Sequence, residues 1–581
     1  MTSGQIDVAE PYAFDRYLRY DELVAWLDDL ARRHPDLVEV ETYGSSHEGR
    51  ALLLVTVTDA TTGTHDTKPA HWVDASIHSV ELTATVAACH LLQRLVDGHR
   101  AGDDTICRAL RTRTFYVVPR VNPDGAEWAL GDTPRFRRSS VRPWPHDDAH
   151  RWPGHHVDDV DGDGRILQMR IADPNGAWTV HPADNRLLVP IAPSGTPAGV
   201  PRYRVFTEGT IEHYDGFTVP TPRSPEGLDL NRNYPAGWGR TVHGSGDHAL
   251  SEPEIDALVR ALVARPNVCG FNAYHTYGGV LLRPSSTLPD DKLPPLDVWV
   301  WNQLASIGTE MTGYPAHSVF EDFTWDPSDT MGGASDDFAY EHLGVFGWTT
   351  EFWDPIEAAT GHRMSTHHWY EGPSDDDALA VLRWFDEQAA EHDISHAAEP
   401  FVDWYRFDHP QLGSVELGGW NHLHSWTNPP FHRLAAEVQG HAEFAIAQAL
   451  AAPCIEITAS AVEQVGDDTW KVEVGISNTG WLPTTVTARG REFVGPLVAE
   501  LSSVGEVDVG VIDGPSRRQL GQLSGAAAAR LSRPNDGTPD RALATWLVRT
   551  AEAVSAVLAV DVAHPRAGRT RVEIELVPAS P

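Results

Sequence analysis

The sequence predicts an α/β protein whose mixed, largely parallel sheet is flanked by helices, followed by an all-β sandwich at the C-terminal end. Between Tyr20 and Glu391, short apolar runs alternate with amphipathic stretches of helical spacing, a pattern typical of parallel sheets covered by helices. After Pro453, short alternating segments are separated by turn signals, which favours a sandwich of roughly 130 residues. The 581 residues leave room for about three to four domains of roughly 150 residues each.

The individual elements follow from apolar periodicity and from the residues that interrupt it. In the first helix, apolar residues from Leu23 to Leu30 recur at helical spacing until Pro35 ends the pattern. Strands are predicted at Leu37–Tyr43, Ala51–Val57, His71–Ile77, Thr114–Val118, Val268–Tyr274 and Val345–Thr350. Further helices are predicted at Leu82–Leu95, Glu252–Ala264, Leu296–Met311, Asp375–Glu391 and Phe431–Ala451.

The chain divides into three predicted regions: an α/β domain at residues 12–400, a connecting aromatic and helical segment at 401–452, and the β-sandwich at 453–581. Residues from about 134 to 225 interrupt the alternation with prolines, glycines, histidines and arginines. Because ordinary connections span about four to six residues, this stretch is predicted to be an insertion with its own packing. Within the connecting segment, Trp404 to Pro430 is predicted to be loop-like.

Composition disfavours several classes of protein. The 45 basic and 82 acidic residues give a net charge of −37, which repels nucleic acids and anionic membranes. No run of 18 apolar residues and no secretory signal is visible, so a cytoplasmic location is the default expectation. The four cysteines lack metal-binding or disulfide-framework spacing and are predicted to be free thiols. The sequence does not indicate an oligomeric state.

Four side chains suited to metal chemistry stand where predicted strands end. His78 and Glu81 follow the third strand, His275 follows the fifth and Glu351 follows the sixth. The carboxyl ends of parallel strands meet at one edge of a sheet, where ligands bind, so we expect these residues to converge there. Two imidazoles and one carboxylate form the ligand set of a catalytic zinc with an open fourth position. A second carboxylate, Glu351, then has a use as a general base.

Five ordered motifs extend this pattern. They are IHSVE at residues 77–81, NPDG at 122–125, DLNRN at 229–233, YHTYGG at 274–279 and TTEFWD at 349–354. In this order the chain resembles the zinc metallocarboxypeptidases of the carboxypeptidase A type, peptidase family M14, over about 280 residues. The resemblance implies a zinc-dependent enzyme that hydrolyses C-terminal peptide bonds of a peptide substrate.

The resemblance also assigns the metal centre and the base. It makes His78, Glu81 and His275 the ligands of one Zn²⁺ per chain. Zinc would lower the pKa of a water molecule towards about 7 and act as a Lewis acid on the scissile carbonyl. Glu351 would take the proton of that water and deliver it to the leaving amine.

Substrate contacts are implied by three further segments. Arg138, in a stretch similar to the RxxRS segment of the family, would stabilise the oxyanion. Asn231 and Arg232 would bind the terminal carboxylate of the substrate, a task suited to the planar guanidinium. Asp336 falls near the specificity position, where an acid implies a preference for a basic side chain; an alternative register puts Asp337 there.

Two departures from the family keep other functions open. Val80 stands where the family often has arginine, and Pro315 to Ala339 contains no tyrosine to close over the substrate. One alternative is an amide hydrolase of the same fold that acts on small N-acyl amino acids or cell-wall peptides. The other is a non-catalytic zinc-site protein that binds peptides, against which the retention of Glu351 argues.

A second candidate metal site lies in the insertion. Asp159, Asp161 and Asp163 precede Gly164 with the spacing of the first half of an EF-hand calcium loop. The loop position that should be glutamate is Arg170, so a complete EF-hand is not expected. Two interpretations stay open: a Ca²⁺ site completed by another acid, such as Asp158 or Asp173, and a plain acidic turn.

Overall fold

The computed structural model describes residues 12–144, 153–194, 199–221, 228–324, 331–364, 371–505, 507–531, 537–550 and 555–578. The strands are β1 Val38–Ser45, β2 Ala51–Val57, β3 Ala70–Ala75, β4 Thr114–Val118, β5 Gly154–Val157, β6 Gln168–Ala172, β7 Trp178–His181, β8 Asp184–Pro190, β9 Arg202–Thr207, β10 Gly209–Glu212, β11 Val268–Thr276, β12 Val280–Arg283, β13 Ala316–Ser318, β14 Phe346–Phe352, β15 Phe401–His409, β16 Gly413–Trp420, β17 Ile455–Gln464, β18 Thr469–Asn478, β19 Leu497–Val504, β20 Val509–Val511, β21 Arg517–Gly521, β22 Arg541–Thr550, β23 Ala556–His564 and β24 Gly568–Leu576. The helices are α1 Tyr20–Arg33, α2 Leu82–Ala101, α3 Asp104–Thr112, α4 Pro123–Ala129, α5 Pro253–Val263, α6 Pro295–Thr312, α7 Ser335–Glu341, α8 Pro355–Thr360, α9 Asp375–Glu391, α10 Leu434–Ala451 and α11 Ala528–Leu531.

The main sheet has the strand order β1-β2-β4-β3-β11-β14-β12-β13 within the described residues. Its four central strands, β4, β3, β11 and β14, run parallel to one another, while β1, β2 and β12 are antiparallel to their inner neighbours. Every residue of β3, β4 and β11 is buried, as expected for strands covered on both faces. The predicted mixed, largely parallel α/β sheet is therefore confirmed.

Helices α2 and α10 pack together on one face of this sheet. Helix α2 ends at Gly102, whose φ of 75° places it in the left-handed region that glycine adopts without strain. Along α10, Phe444 packs against Trp348 and His441 packs against Phe352, with a ring centroid distance of 4.5 Å in the second pair. Helix α10 therefore supports β14 by packing against its side chains on this face of the sheet.

The insertion forms strands of its own. Strands β6 to β9 join β15 and β16 in a sheet ordered β15-β16-β6-β9-β7-β8. The prediction that Trp404 to Pro430 is loop-like is wrong over β15 and β16, which form an antiparallel hairpin. The physical reason is that partly buried aromatic residues such as Tyr405 and Phe407 pack around Met169, Val415 and Leu417, a partnership with distant residues. Local sequence does not reveal such partners.

The C-terminal region is a β-sandwich, as predicted. One sheet has the order β17-β18-β22-β20 and the other β21-β19-β23-β24. Their facing side chains, among them Trp470, Trp546 and Val560, form a core separate from that of the main sheet. The boundaries at residues 400 and 453 stay a prediction. No helix in the described part of the chain combines the length and apolar character that crossing a membrane requires.

Candidate active site

His78 and Glu81 lie in the turn between β3 and α2. Glu81 is the residue that immediately precedes the first turn of α2, and it is buried together with His78. Asn122 holds this turn because its side-chain amide donates to the carbonyl of Ile77 at 3.3 Å and to that of Ser139 at 2.5 Å. The Nδ1 atom of His78 lies 2.7 Å from Oε1 of Glu81. The strand-to-helix turn thus brings both predicted ligands to one point.

His275 and Glu351 reach the same point from two adjacent strands. They are direct partners in the parallel register of β11 and β14. The structure extends β14 to Phe352, so Glu351 lies inside the strand and not just after it as predicted. The Nδ1 atom of His275 lies 3.2 Å from Nδ1 of His78 and 3.0 Å from Oε2 of Glu81. The four residues expected to converge at the sheet edge therefore do so.

The donor atoms of this cluster fit a metal ion. One donor atom from each of His78, Glu81 and His275 lies within 4.8 Å of the other two, and all three residues are buried. Two imidazole nitrogens that face each other at 3.2 Å beside a carboxylate are mutually satisfied by a shared cation. Two imidazoles with one carboxylate is the ligand set of catalytic zinc sites.

Asp229 is a member of this site that the sequence reasoning did not assign. Its Oδ1 lies 3.1 Å from Nε2 of His78, and its Oδ2 accepts from Nε of Arg138 at 3.2 Å. Burial opposes its ionisation, yet Arg138 and His78 hold the pKa of Asp229 well below its usual value. A carboxylate on the far nitrogen of a ligating histidine orients the imidazole. The feature of the sequence that could have identified Asp229 is its place as the first residue of the DLNRN motif.

Arg138 lies beside the predicted metal ligands. Its Nη1 is 3.4 Å from Oε1 of Glu81, and 52% of its side chain is exposed, so the guanidinium is open to a substrate. Glu351 lies deeper: its Oε2 is buried with no hydrogen-bond partner among the described residues. Burial raises the pKa of Glu351 to about 8.

Asn231 and Arg232 lie in a single turn of 3₁₀-helix at Leu230–Arg232. The Oδ1 of Asn231 accepts from the backbone N–H of Ser335 at 2.9 Å, which ties this turn to α7. Nη1 of Arg232 donates to the carbonyl of Asn231 at 2.7 Å. The turn thus places the predicted carboxylate-binding pair next to the helix that contains Asp336.

Asp336 and Asp337 differ in their surroundings. Both oxygens of Asp337 accept from the backbone N–H of Ser286, at 3.0 and 3.2 Å, so this side chain holds a neighbouring loop. Asp336 accepts from the N–H of Asp337 at 3.0 Å and bonds to the side chain of Thr349, and it interacts electrostatically with His275 and Glu351. Asp336 is thus the one of the two that interacts with His275 and Glu351, and its place at the specificity position stays a prediction.

The chain was compared with known proteins. The sequence model of the zinc carboxypeptidase family, Peptidase_M14, matches residues 23–166 and 207–365. These two segments make up just over half of the chain. The chain belongs to this family. A second model, a domain of unknown function named DUF8731, matches residues 454–575, which hold the β-sandwich.

Relatives of this zinc carboxypeptidase family member match over limited lengths. Carboxypeptidase B of Astacus astacus is 30% identical over 165 residues, which cover 28% of this chain and 45% of that protein. An inactive metallocarboxypeptidase of Saccharomyces cerevisiae is 27% identical over 131 residues, which cover 22% of this chain and 30% of that protein. The solved carboxypeptidase A of Helicoverpa armigera has 18% identity and a TM-score of 0.37, covering 66% of this chain and 75% of that one. The alignments thus span less than half the length of these two curated relatives.

A strained residue connects strands β11 and β14 of this family member. Trp353, two residues after Glu351, has a φ of 69°, which is unusual for a bulky side chain. Its N–H donates to the Tyr314 hydroxyl at 2.9 Å and to Oε1 of Glu437, on α10, at 3.1 Å. Its carbonyl accepts from the N–H of Gly278, three residues after His275, at 2.7 Å. The sequence reasoning missed Glu437, because only the tertiary fold brings α10 to this residue.

The predicted calcium site has a different membership in the structure. Asp163 forms an ion pair with Arg165 at 2.6 Å, and Asp173 forms one with Arg204. The carboxylate that joins Asp159 and Asp161 is instead Glu208, which is buried. Asp163 and Asp173 thus pair with nearby arginines, and the group that the structure brings together is Asp159, Asp161 and Glu208. No finding supports calcium binding.

Proposed function

We propose that this protein is a zinc-dependent carboxypeptidase that removes C-terminal residues from peptides. The observation that supports it most is the convergence of His78, Glu81, His275 and Glu351 on one buried point with Arg138 beside them. His78, Glu81 and His275 would hold the zinc, which when bound supplies Lewis-acid polarisation of the scissile carbonyl and lowers the pKa of a water molecule to about 7.

Glu351 performs the proton transfers. As a base it takes the proton of the attacking water, and as an acid it passes that proton to the nitrogen of the leaving amine. Without zinc, burial raises its pKa to about 8, and a bound zinc ion would favour the ionised carboxylate that the first proton transfer requires. The uncommitted Oε2 leaves an oxygen for this task.

The arginines supply charge complementarity. Arg138, half exposed next to Glu81, stabilises the negative charge that develops on the carbonyl oxygen. Arg232 and Asn231 bind the carboxylate at the end of the peptide, and the guanidinium does so with two parallel hydrogen bonds. A free carboxylate in the substrate restricts cleavage to the last peptide bond.

Asp336 sets the preference for the last side chain. It is buried, and in the described part of the chain no arginine or lysine pairs with it. A buried carboxylate without a cationic partner is unfavourable until a positive group joins it. We therefore propose that the enzyme prefers a C-terminal arginine or lysine.

Two peptides that differ only in a final Arg or Phe test this function. The zinc-loaded protein should release Arg faster than Phe, a chelator should stop both reactions, and readdition of zinc should restore them. Asp336→Asn keeps an acceptor for the N–H of Asp337 and removes the charge, so the kcat/KM for the Arg peptide should fall by about tenfold or more while that for the Phe peptide stays unchanged. Equal or faster release of Phe by the unmodified protein would refute the basic preference. Absence of any release by a zinc-loaded, folded sample would refute the peptidase function.

A further inference from the structure

The loop between β18 and β19 of the sandwich belongs to the core of the α/β domain. Leu482 and Val486 are 2% and 1% exposed and lie in the hydrophobic cluster of the main sheet, whereas neighbouring strand residues such as Ile476 lie in that of the sandwich. Trp481 stacks on Trp299 of α6 with a centroid distance of 5.9 Å. The sandwich is thus anchored by buried side chains and not only by a linker.

Two polar groups of the sandwich bind the connection between α7 and β14. The Thr487 hydroxyl donates to the carbonyl of Gly344 at 2.7 Å, and Nη1 of Arg566 donates to the same carbonyl at 2.8 Å. Arg566 also donates to the carbonyls of Leu343 and Thr485. Its guanidinium is buried and bonds to backbone carbonyls, with no carboxylate partner among the described residues. The carbonyls of Leu343 and Gly344 follow the C-terminal end of α7, where a positive charge is favourable.

Close backbone packing makes this contact specific. Gly344 has a φ of 62°, and a Cβ atom added to it would lie 2.4 Å from Cα of Gly490 in the sandwich loop. A Cβ on Gly490 would in turn lie 2.9 Å from the carbonyl oxygen of Gly344. Both positions therefore need glycine for these two segments of the backbone to come so close together.

A buried carboxylate connects the same loop to α7 itself. Asp297 of α6 accepts from the backbone N–H of Ala488 at 2.8 Å and from the Tyr340 hydroxyl at 2.9 Å. Tyr340 lies on α7, four residues after Asp336. The sandwich thus contacts α7 both through Asp297 and through the segment that follows the helix.

We propose that the C-terminal β-sandwich acts as an intramolecular clamp, with Arg566 and Thr487 as positioning residues that hold α7, and hence the specificity residue Asp336, in register with Glu351. The clamped carbonyls lie between Asp336 and Glu351 in the chain, so a shift there moves one relative to the other. This inference rests on the proposed function of Asp336. It gives the domain of unknown function a role in substrate selection without contact to the substrate.

The test compares full-length variants of the zinc-loaded protein. Arg566→Ala removes the buried donor, and Thr487→Val removes one bond at nearly constant volume in case the first variant does not fold. We expect both to lower the ratio of kcat/KM for the Arg peptide to that for the Phe peptide, by about tenfold for Arg566→Ala. Arg566→Lys should restore part of that ratio because it keeps a donor. The matched control is Arg571→Ala, an exposed arginine on β24, five residues after Arg566, that pairs with Asp561.

Amide hydrogen exchange supplies a second readout that does not depend on activity. Exchange in residues 335–345 should increase in the Arg566 and Thr487 variants but not in Arg571→Ala, with α2 unchanged in all of them. If the unmodified enzyme prefers Arg and folded Thr487→Val and Arg566→Ala keep both that preference and the exchange pattern, the clamp is refuted while the proposed function stands. If the unmodified protein shows no preference for Arg, the proposed role of Asp336 fails, and the selective role of the clamp fails with it.

Discussion

Two groups of three potential metal ligands in this chain contrast in how their donor atoms are used. In the acidic loop, all six carboxylate oxygens of Asp159, Asp161 and Glu208 accept hydrogen bonds from the protein: from the N–H groups of Gly162, Gly164, Asp163, Val160 and Leu167 and from the Tyr405 hydroxyl. At the sheet edge, Nδ1 of His78 faces Nδ1 of His275, and neither Nε2 of His275 nor Oε2 of Glu81 has a hydrogen-bond partner among the described residues. The number of acidic or imidazole groups thus does not identify a functional metal site. Donor atoms that the protein leaves unsatisfied do.

The largest effect is expected for Glu351→Gln. Gln cannot take the proton of the attacking water, so kcat should fall by about 10² to 10⁴ while zinc content stays the same. The control is Glu443→Gln, the same chemical change at a residue of α10 that forms an ion pair with Arg94 of α2. Steady-state kinetics with elemental analysis of both variants checks the prediction. Undiminished turnover in Glu351→Gln would remove this residue from the mechanism.

Asp229→Asn tests how much the hydrogen bond between Asp229 and His78 contributes to zinc binding at the edge of the sheet. The amide is a weaker acceptor for the far nitrogen of His78, so zinc affinity should fall by about 10- to 100-fold. Competition with a chelator of known affinity measures this change. The same substitution at Asp161, in the acidic loop, should leave zinc affinity as it is. A zinc affinity that is equal in Asp229→Asn and the unmodified protein would contradict the orienting role.

The convergence of the predicted ligands and the predicted base could be foreseen because it depends on local pattern and topology. His78, Glu81, His275 and Glu351 each stand near the end of an apolar strand, and parallel strands deliver their carboxyl ends to one edge. By contrast, β15 and β16 were missed because β16 pairs with β6, which lies in the insertion more than two hundred residues earlier in the chain. The contact made by Arg566 could likewise not be predicted from the sequence, since its partner Gly344 is 222 positions away.

Glu437→Ala tests whether α10 supports the end of β14 through the hydrogen bond to the backbone of Trp353. It removes an acceptor for the N–H of Trp353, whose positive φ is otherwise unfavourable, so kcat should fall by about tenfold with little change in KM. Glu437→Gln keeps an acceptor oxygen and should retain most of the activity. Steady-state kinetics should give kcat and KM for both variants, with Glu443→Ala as the control on the same helix. Equal losses in the Ala and Gln variants would contradict a role for this hydrogen bond.

The smallest effect on activity is expected for Glu208→Gln, which acts on stability. Burial raises the pKa of Glu208 from 4.5 to about 7, so the folded state favours the protonated carboxyl. The free energy of unfolding should therefore decrease as the pH rises from about 4.5 through 7, and Gln at this position lacks that dependence. Between pH 5 and pH 8 the stability difference should move in favour of the variant by about 2 kcal/mol. Urea denaturation of both proteins at the two pH values measures it, and parallel pH profiles would contradict the shifted pKa.

Metal content per chain tests the central claim most directly. Elemental analysis of the purified protein, of His275→Ala and of Asp161→Asn compares the two groups of ligands in one experiment. We predict one zinc per chain in the unmodified protein and in Asp161→Asn, and loss of zinc in folded His275→Ala. A folded, unmodified protein that binds no zinc, or a His275→Ala variant that keeps it, would contradict the assignment of the metal centre to the edge of the sheet.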